Sequence, residues 1–200
     1  MALRKSVILR TLRKQPSRRT HRRGNAVIYM VEMDMQLGDR EAEWHAWYLA
    51  HIQILLSVPG FRASQRFRSI LPCPAPYLAL HQVDTGAIFE SPEYRSRGGP
   101  GSTGEWRARH LNWRRNLLEG LAETPDVPAD AHVLRLENAR DVTLPSGVAV
   151  TWTKAVGLDR DAQEFGLAVI ADPAPLLDLA KRDDRVRLYR PISEKLREVS

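Results

Sequence analysis

The sequence predicts an α+β fold assembled on antiparallel strands, and three features of its pattern lead there. Short runs in which apolar and polar residues alternate recur through the chain, as half-buried strands require. One long run, EWHAWYLAHIQILL, repeats with helical period instead. Glycine and proline separate these runs at short intervals, which suits tight reversals between neighbouring strands.

In chain order, Tyr29, Val31, Met33 and Met35 alternate with Ile28, Met30, Glu32 and Asp34, predicting a half-buried strand over Val27–Met35. Leu37-Gly38-Asp39 turns the chain, Asp39 is placed as an N-cap, and a helix is expected over 40–57. Val58-Pro59-Gly60 ends that helix, because proline breaks the backbone bonding and glycine permits the reversal. Strands are expected over 61–67 and 77–83, joined by the proline-stiffened LPCPAP. Residues 87–97 read as a short helix or irregular crossing. Five of the seven residues in 98–104 are glycine or proline, so this stretch is either a flexible connection or a lid over a neighbouring site.

Trp106, His110, Trp113 and Leu117 recur at intervals of four, three and four, which predicts a helix over 105–121. Arginines 107, 109, 114 and 115 surround that stripe. They either reach acidic or aromatic ligands through cation–π contacts or lie as solvated stems over buried tryptophans. Two prolines and two aspartates in 122–130 mark an internal linker. Beyond it, strands are expected over 132–137, 148–156 and 164–170, a short helix over 173–181 opened by Asp172, and a last strand over 185–189.

Charge is unevenly distributed. The net charge is +6, yet residues 1–25 carry nine Lys or Arg and no acid. Setting those nine aside leaves 21 basic residues against 24 acidic ones, so the body is mildly acidic, near −3. The leader is expected to be disordered, and it reads as a nucleic-acid arm, a targeting peptide or translated upstream sequence. No recognition helix, zinc pattern or aromatic RNA-binding strand accompanies it, so a nucleic-acid partner is not expected. No apolar run reaches 18 residues, so no membrane span is expected. A single cysteine, Cys73, and no signal peptide point to the cytoplasm.

The predicted first helix carries the most chemical promise. At about 100° per residue, Trp44, Trp47, Tyr48 and Leu55 fall within about 60° of His51. Either these aromatics are simply core with His51 at its edge, or a partner group converges on the histidine and makes a pocket. On the following strand, Phe61, Ala63, Gln65 and Phe67 share one face by alternation and Arg66 falls on the other. Gln65, His81 and His51 then meet if the Tyr77–His81 face is the covered one.

WHAWYLAHIQILLSVPGFRASQRFRS, followed by PYLALHQVD, SPEYR and GGPGSTGEW, resembles the dimeric α+β-barrel superfamily, which includes EthD-like proteins, antibiotic-biosynthesis monooxygenases and muconolactone isomerases. The match is nearest to small uncharacterised bacterial proteins with an aromatic-aromatic-x-x-His helix before Pro-Gly-Phe. The resemblance covers about residues 27–118. It implies a ferredoxin-like β-α-β-β-α-β unit over 26–121 that pairs sheet to sheet with a second unit, with substrate between helix and sheet. It also implies pocket roles for His51, Trp47, Tyr48 and His81. The order strand-strand-strand-helix-strand in 131–200 fits a degenerate second unit whose first helix is replaced by the loop 138–145. One chain would then form a tandem, pseudo-dimeric barrel, either monomeric or as a homodimer. The alternative is an accessory domain of unrelated topology.

Histidine exchanges a proton near neutrality, and burial beside aromatics favours its neutral form. His51 is therefore the candidate general base, Tyr48 a candidate donor, and His81 or Arg66 a stabiliser of negative charge. Trp44, Trp47, Gln65 and Arg66 are candidate substrate contacts. The resemblance implies cofactor-independent isomerisation, cyclisation or oxidation of a small aromatic, lactone or enolisable carbonyl compound. It also admits haem held by His51. No His-Glu-x-x-His or Cys-x-x-Cys spacing suggests a metal, and no Gly-x-Ser-x-Gly elbow suggests a serine hydrolase. The competing class is a non-catalytic small-molecule-binding or scaffold protein of the same fold.

Overall fold

The computed structural model describes residues 26–198. The basic leader lies outside the described residues. Within them the elements run β1 (Val27–Met35), α1 (Glu41–Leu56), β2 (Phe61–Ser69), β3 (Tyr77–Val83), β4 (His110–Glu119), β5 (His132–Glu137), β6 (Thr151–Leu158), β7 (Glu164–Ile170), α2 (Leu177–Arg182), β8 (Val186–Pro191) and β9 (Leu196–Arg197). Between β3 and β4 the chain makes tight 3₁₀ turns at Gly86–Glu90 and Pro100–Arg109, with a wider π-helical turn at Tyr94–Gly98 between them.

Every strand pair is antiparallel. The order β3-β1-β4-β6-β7-β5-β8-β2, with β2 pairing back onto β3, closes eight strands into a barrel, and β9 adds to β2. The first four strands run β4-β1-β3-β2 across the sheet and the next four run β8-β5-β7-β6, so each half has the same ferredoxin-like order. The seams are β4–β6 and β2–β8. One chain thus closes the tandem barrel by itself, and a second half of unrelated topology does not fit this order. As expected, no helix lies between β5 and β6.

Alternation assigns the faces. Tyr29, Val31, Met33 and Met35 turn outward and pack under Trp44, Tyr48, Ile52 and Leu55 of α1. Ile28 and Met30 turn inward to meet Leu78, Leu80, Val133, Phe165 and Leu167 in the barrel interior. A third cluster, Leu134, Leu136, Ile170, Leu176 and Leu188, fills the outer face of the second half. Full burial of one such side chain contributes about 1.5–3 kcal/mol. The interior also encloses charge. Glu32 and Arg135, both fully buried, pair at 2.6 Å, with Glu137 2.6 Å and Arg187 3.2 Å from the same pair and the Tyr189 hydroxyl donating to Glu32 at 3.0 Å.

Three expectations need correction. The segment 105–121 is not a helix: tight turns run to Arg109 and His110–Glu119 is strand β4. Its helical spacing of aromatics is overridden because β4 fills the slot between β1 and β6, where its backbone groups complete two ladders. Asp39 does not cap α1, since Arg40 occupies the N-cap with no side-chain capping bond. Gln65 does not share a face with His81 and His51. A register shift between Phe61 and Ala63 lets Phe61 join the α1 side while Phe67 joins the barrel interior. Gln65 instead clamps the connection between the halves, donating to the Val127 carbonyl at 2.7 Å and accepting from the Val127 amide at 3.2 Å.

Candidate functional site

α1 crosses the outer face of the first-half sheet and leaves a small cavity beneath it. Trp47, Tyr48, His51 and Leu55 line it from the helix, Tyr29, Val31 and Met33 from β1, and His81 from β3. Tyr94, Gly98, Gly99, Thr103, His110 and Trp113 close it from the segment that ends in β4. Gly98 lets this segment approach α1 closely, because a Cβ would come within 2.7 Å of the end of the Leu55 side chain and 3.1 Å of the Tyr94 ring. The lining contains no Asp, Glu, Lys or Arg. The cavity holds about 30 Å³, room for about two waters and far below the 300–1,000 Å³ typical of ligand sites.

The rings are ordered. His51 stacks on Trp47 with centroids 5.1 Å apart and planes 11° from parallel, while Tyr48 meets His51 edge-on at 6.3 Å. His81 stacks on Tyr29 at 5.2 Å, and His110 stacks on Trp113 at 4.9 Å. Among the described residues His81 Nδ1 and Trp113 Nε1 are buried without a hydrogen-bond partner. Buried polar atoms left unpaired carry a penalty that a ligand or water can relieve.

Burial sets the protonation states. It lowers His51 to about 4, with His110 adding a smaller push, and lowers His81 to about 3, helped by His51 and Arg66. His110 is lowered mainly by burial as well. All three imidazoles are neutral at physiological pH. Burial raises Tyr48 to about 12, and Arg66 partly offsets the rise.

Arg66 stands behind this wall. Its guanidinium lies 4.1 Å from the Tyr48 ring and 4.8 Å from the Trp44 ring, and Nη2 is 3.0 Å from His45 Nδ1. It is 3% exposed, and among the described residues no carboxylate pairs with it. Burial lowers its pKa to about 10, so it stays charged at neutral pH.

The structure therefore brings His51, Tyr48, His81 and Trp47 to one cavity. Trp44 is fully buried against Tyr77, Arg66 sits one layer behind, and Gln65 faces the barrel interior. Sequence reasoning missed His110, Trp113, Tyr29 and Tyr94. The signal for His110 and Trp113 was present in the β-α-β-β-α-β order, which requires a fourth strand where the aromatic spacing suggested a helix. Haem does not fit: a cavity of about 30 Å³ walled by packed rings is far smaller than the macrocycle. Among the described residues no group of three His, Cys, Asp or Glu side chains is placed to hold a metal ion, and no helix is long and apolar enough to cross a membrane.

No protein-family model matches the sequence, and no curated protein matches it. Solved structures do. An anthrone oxidase-like protein is similar with a TM-score of 0.57 at 10% identity, over 88% of this chain and 94% of its own. A candidate monooxygenase from Fusobacterium nucleatum gives 0.53 at 8%, over 88% and 97%. A candidate chlorite dismutase gives 0.53 at 12%, over 85% and 96%. At these identities the likeness is one of fold: the chain has the α+β-barrel architecture of monooxygenase-like and chlorite dismutase-like proteins.

Proposed function

We propose that the cavity under α1 is an active site for cofactor-independent proton abstraction from a small, neutral aromatic or enolisable carbonyl compound, leading to isomerisation or oxidation. The observation that carries this reading is the convergence of three neutral imidazoles in an aromatic box that contains no fixed charge. A carboxylate substrate would lose its hydration there without gaining a direct cationic partner, so the site favours neutral compounds over lactone acids.

His51 accepts the proton. Its low pKa makes it a weak base in isolation, but the imidazolium and the new enolate or phenolate form together in a low-dielectric space, where each stabilises the other. Arg66 adds a fixed positive charge behind Tyr48, and the unpartnered Trp113 Nε1–H is free to donate to a substrate oxygen. In the oxidative outcome dioxygen is the oxidant. A methylene carbon gives up two hydrogens and takes one oxygen, and the second oxygen leaves as water. The fold shared with an anthrone oxidase-like protein and a candidate monooxygenase supports this outcome.

The small cavity favours a second reading, a non-catalytic binding or scaffold protein. The test is a thermal-shift screen against neutral hydroxylated aromatics, short carbonyl compounds, lactone acids and haemin, followed by oxygen uptake and product analysis on each hit. Stabilisation by neutral aromatics together with turnover that His51→Gln abolishes supports the enzyme. Binding without turnover, equal in His51→Gln, supports the second reading.

A further inference from the structure

Beyond its first turn α1 carries no charged side chain on either side. Between Glu43 and Arg62 no Asp, Glu, Lys or Arg occurs, in a chain that is 27% charged. One face of this stretch is used by the core, through Trp44, Tyr48, Ile52 and Leu55. The other presents Ala42, Ala46, Ala50, Gln53 and Ser57 to solvent, with Leu49 40% and Ile54 42% exposed. A helix without a charged solvent face is normally covered on both sides.

We propose that the outer face of α1 is the contact surface of a symmetric dimer, in which α1 packs antiparallel on α1 of a second copy with the two-fold axis at Ala50. The charges at its two ends select this occupant. Glu43, paired with Arg40 at 2.7 Å but still 61% exposed, stands at the N-terminal end, and at the C-terminal end Arg97 donates to the Ser57 carbonyl at 3.2 Å. Positions 43 and 57 are equidistant from 50. An antiparallel pair therefore brings each Glu43 to the Arg97 of the other copy, twice by symmetry. Ala46 and Ala50 keep the crossing free of bulk, so the axes can approach to the usual 8–10 Å, and Leu49 and Ile54 flank the crossing. An anionic lipid surface is disfavoured, because interfacial helices insert a face of Trp, Phe or Leu and carry Lys or Arg along their polar face, whereas this face presents Ala42, Ala46, Ala50, Gln53 and Ser57 and no Lys or Arg lies between Glu43 and Arg62. A single helix pair is at the low end of interface size, so the dimer dissociates at micromolar concentration.

Sedimentation equilibrium of the full chain over a concentration series tests this. A monomer–dimer equilibrium is expected, with Leu49→Glu raising the dissociation constant by about 30-fold or more. Glu43→Arg and Arg97→Glu are each expected to weaken the dimer and the double exchange to restore it. Because these side chains are exposed, an unchanged melting curve separates lost association from lost folding. In a Cys73→Ser background, Ala50→Cys is expected to form an intermolecular disulfide under mild oxidation, which requires Ala50 to lie beside itself. A monomer at every concentration overturns the proposal. So does a dimer indifferent to Leu49→Glu, or a monomer that co-sediments with phosphatidylglycerol vesicles through this face.

Discussion

Trp47 and His51, one helical turn apart on α1, lie face to face with their ring centroids 5.1 Å apart. The indole covers one face of the imidazole and fixes its plane, and with it the in-plane direction in which the ring nitrogens exchange a proton at the cavity wall. If His51 is the base, His51→Gln is expected to retain the melting temperature within a few degrees and to lower turnover by 10²–10⁴-fold, the usual contribution of a positioned base. Trp47→Leu frees the ring without removing it and is expected to lower turnover less. Equal activity in His51→Gln and the parent would assign the chemistry elsewhere.

The same burial makes stability depend on pH. Unfolded, His51 and His81 titrate near 6.5; folded, they resist protonation until about 4 and about 3. Between these limits the unfolded chain binds more protons. The stabilisation is therefore fully present above pH 6.5 and is lost as pH falls to about 4 for His51 and about 3 for His81. Each unit of difference is worth about 1.4 kcal/mol, so the two residues together withdraw several kcal/mol. Urea midpoints measured from pH 8 to pH 4 should fall steeply below 6.5, and His51→Gln should flatten part of the decline. A flat profile would show that these rings are not held neutral.

What the sequence disclosed follows from which physics is local. Period-two alternation placed Val27–Met35 and His132–Glu137 at their observed limits, because each strand alone decides which of its residues face a core. The helical stripe on α1 identified Trp47, Tyr48 and His51 for the same reason. Strand β4 was hidden: its aromatic spacing suits a helix, and only the empty slot between β1 and β6 makes it a strand. Gln65 was misplaced by a single register shift after Phe61, which turns every later side chain of β2 to the other face. That shift also brings Arg66 behind the site, a placement that alternation alone excluded.

Arg66 separates stability from activity. It is a buried cation supported by two aromatic rings and His45 rather than by a carboxylate, so its desolvation is only partly offset. Arg66→Met preserves most of its volume and is expected to leave unfolding free energy unchanged or raised. Because the positive field at Tyr48 and His81 disappears, kcat/KM should fall by at least tenfold. A variant that is both less stable and fully active would make Arg66 a packing element only.

The barrel interior behaves in the opposite way. Glu32 is fully buried and meets Arg135, Arg187 and the Tyr189 hydroxyl. Glu32→Gln leaves buried guanidinium groups short of a counter-charge, and removing one member of such a group costs about 3–5 kcal/mol. Chemical denaturation should show that loss with little change in slope. A cost below about 1 kcal/mol would mean that the remaining carboxylate, Glu137, suffices for Arg135.

A cavity of about 30 Å³ cannot receive an aromatic substrate without a wall moving, and the wall least committed to the sheet is the run of turns from Gly98 to Arg109. Trp106 anchors that run in the core, covered by Arg40 at 4.7 Å, and Arg40 in turn pairs with Glu105 at 2.8 Å. Glu105 is more than half exposed, so solvent screens the pair and it adds little to stability. It nevertheless joins the start of α1 to the turns over the cavity, where a small gain in opening changes how often substrate enters. Glu105→Gln is therefore expected to increase the association rate of a neutral aromatic ligand several-fold while the melting temperature stays nearly constant. Stopped-flow tryptophan fluorescence would follow the event directly, since Trp47, Trp106 and Trp113 surround it. An unchanged association rate would mean that the cavity is reached by another route, past the rim of α1 rather than through the segment that ends at β4.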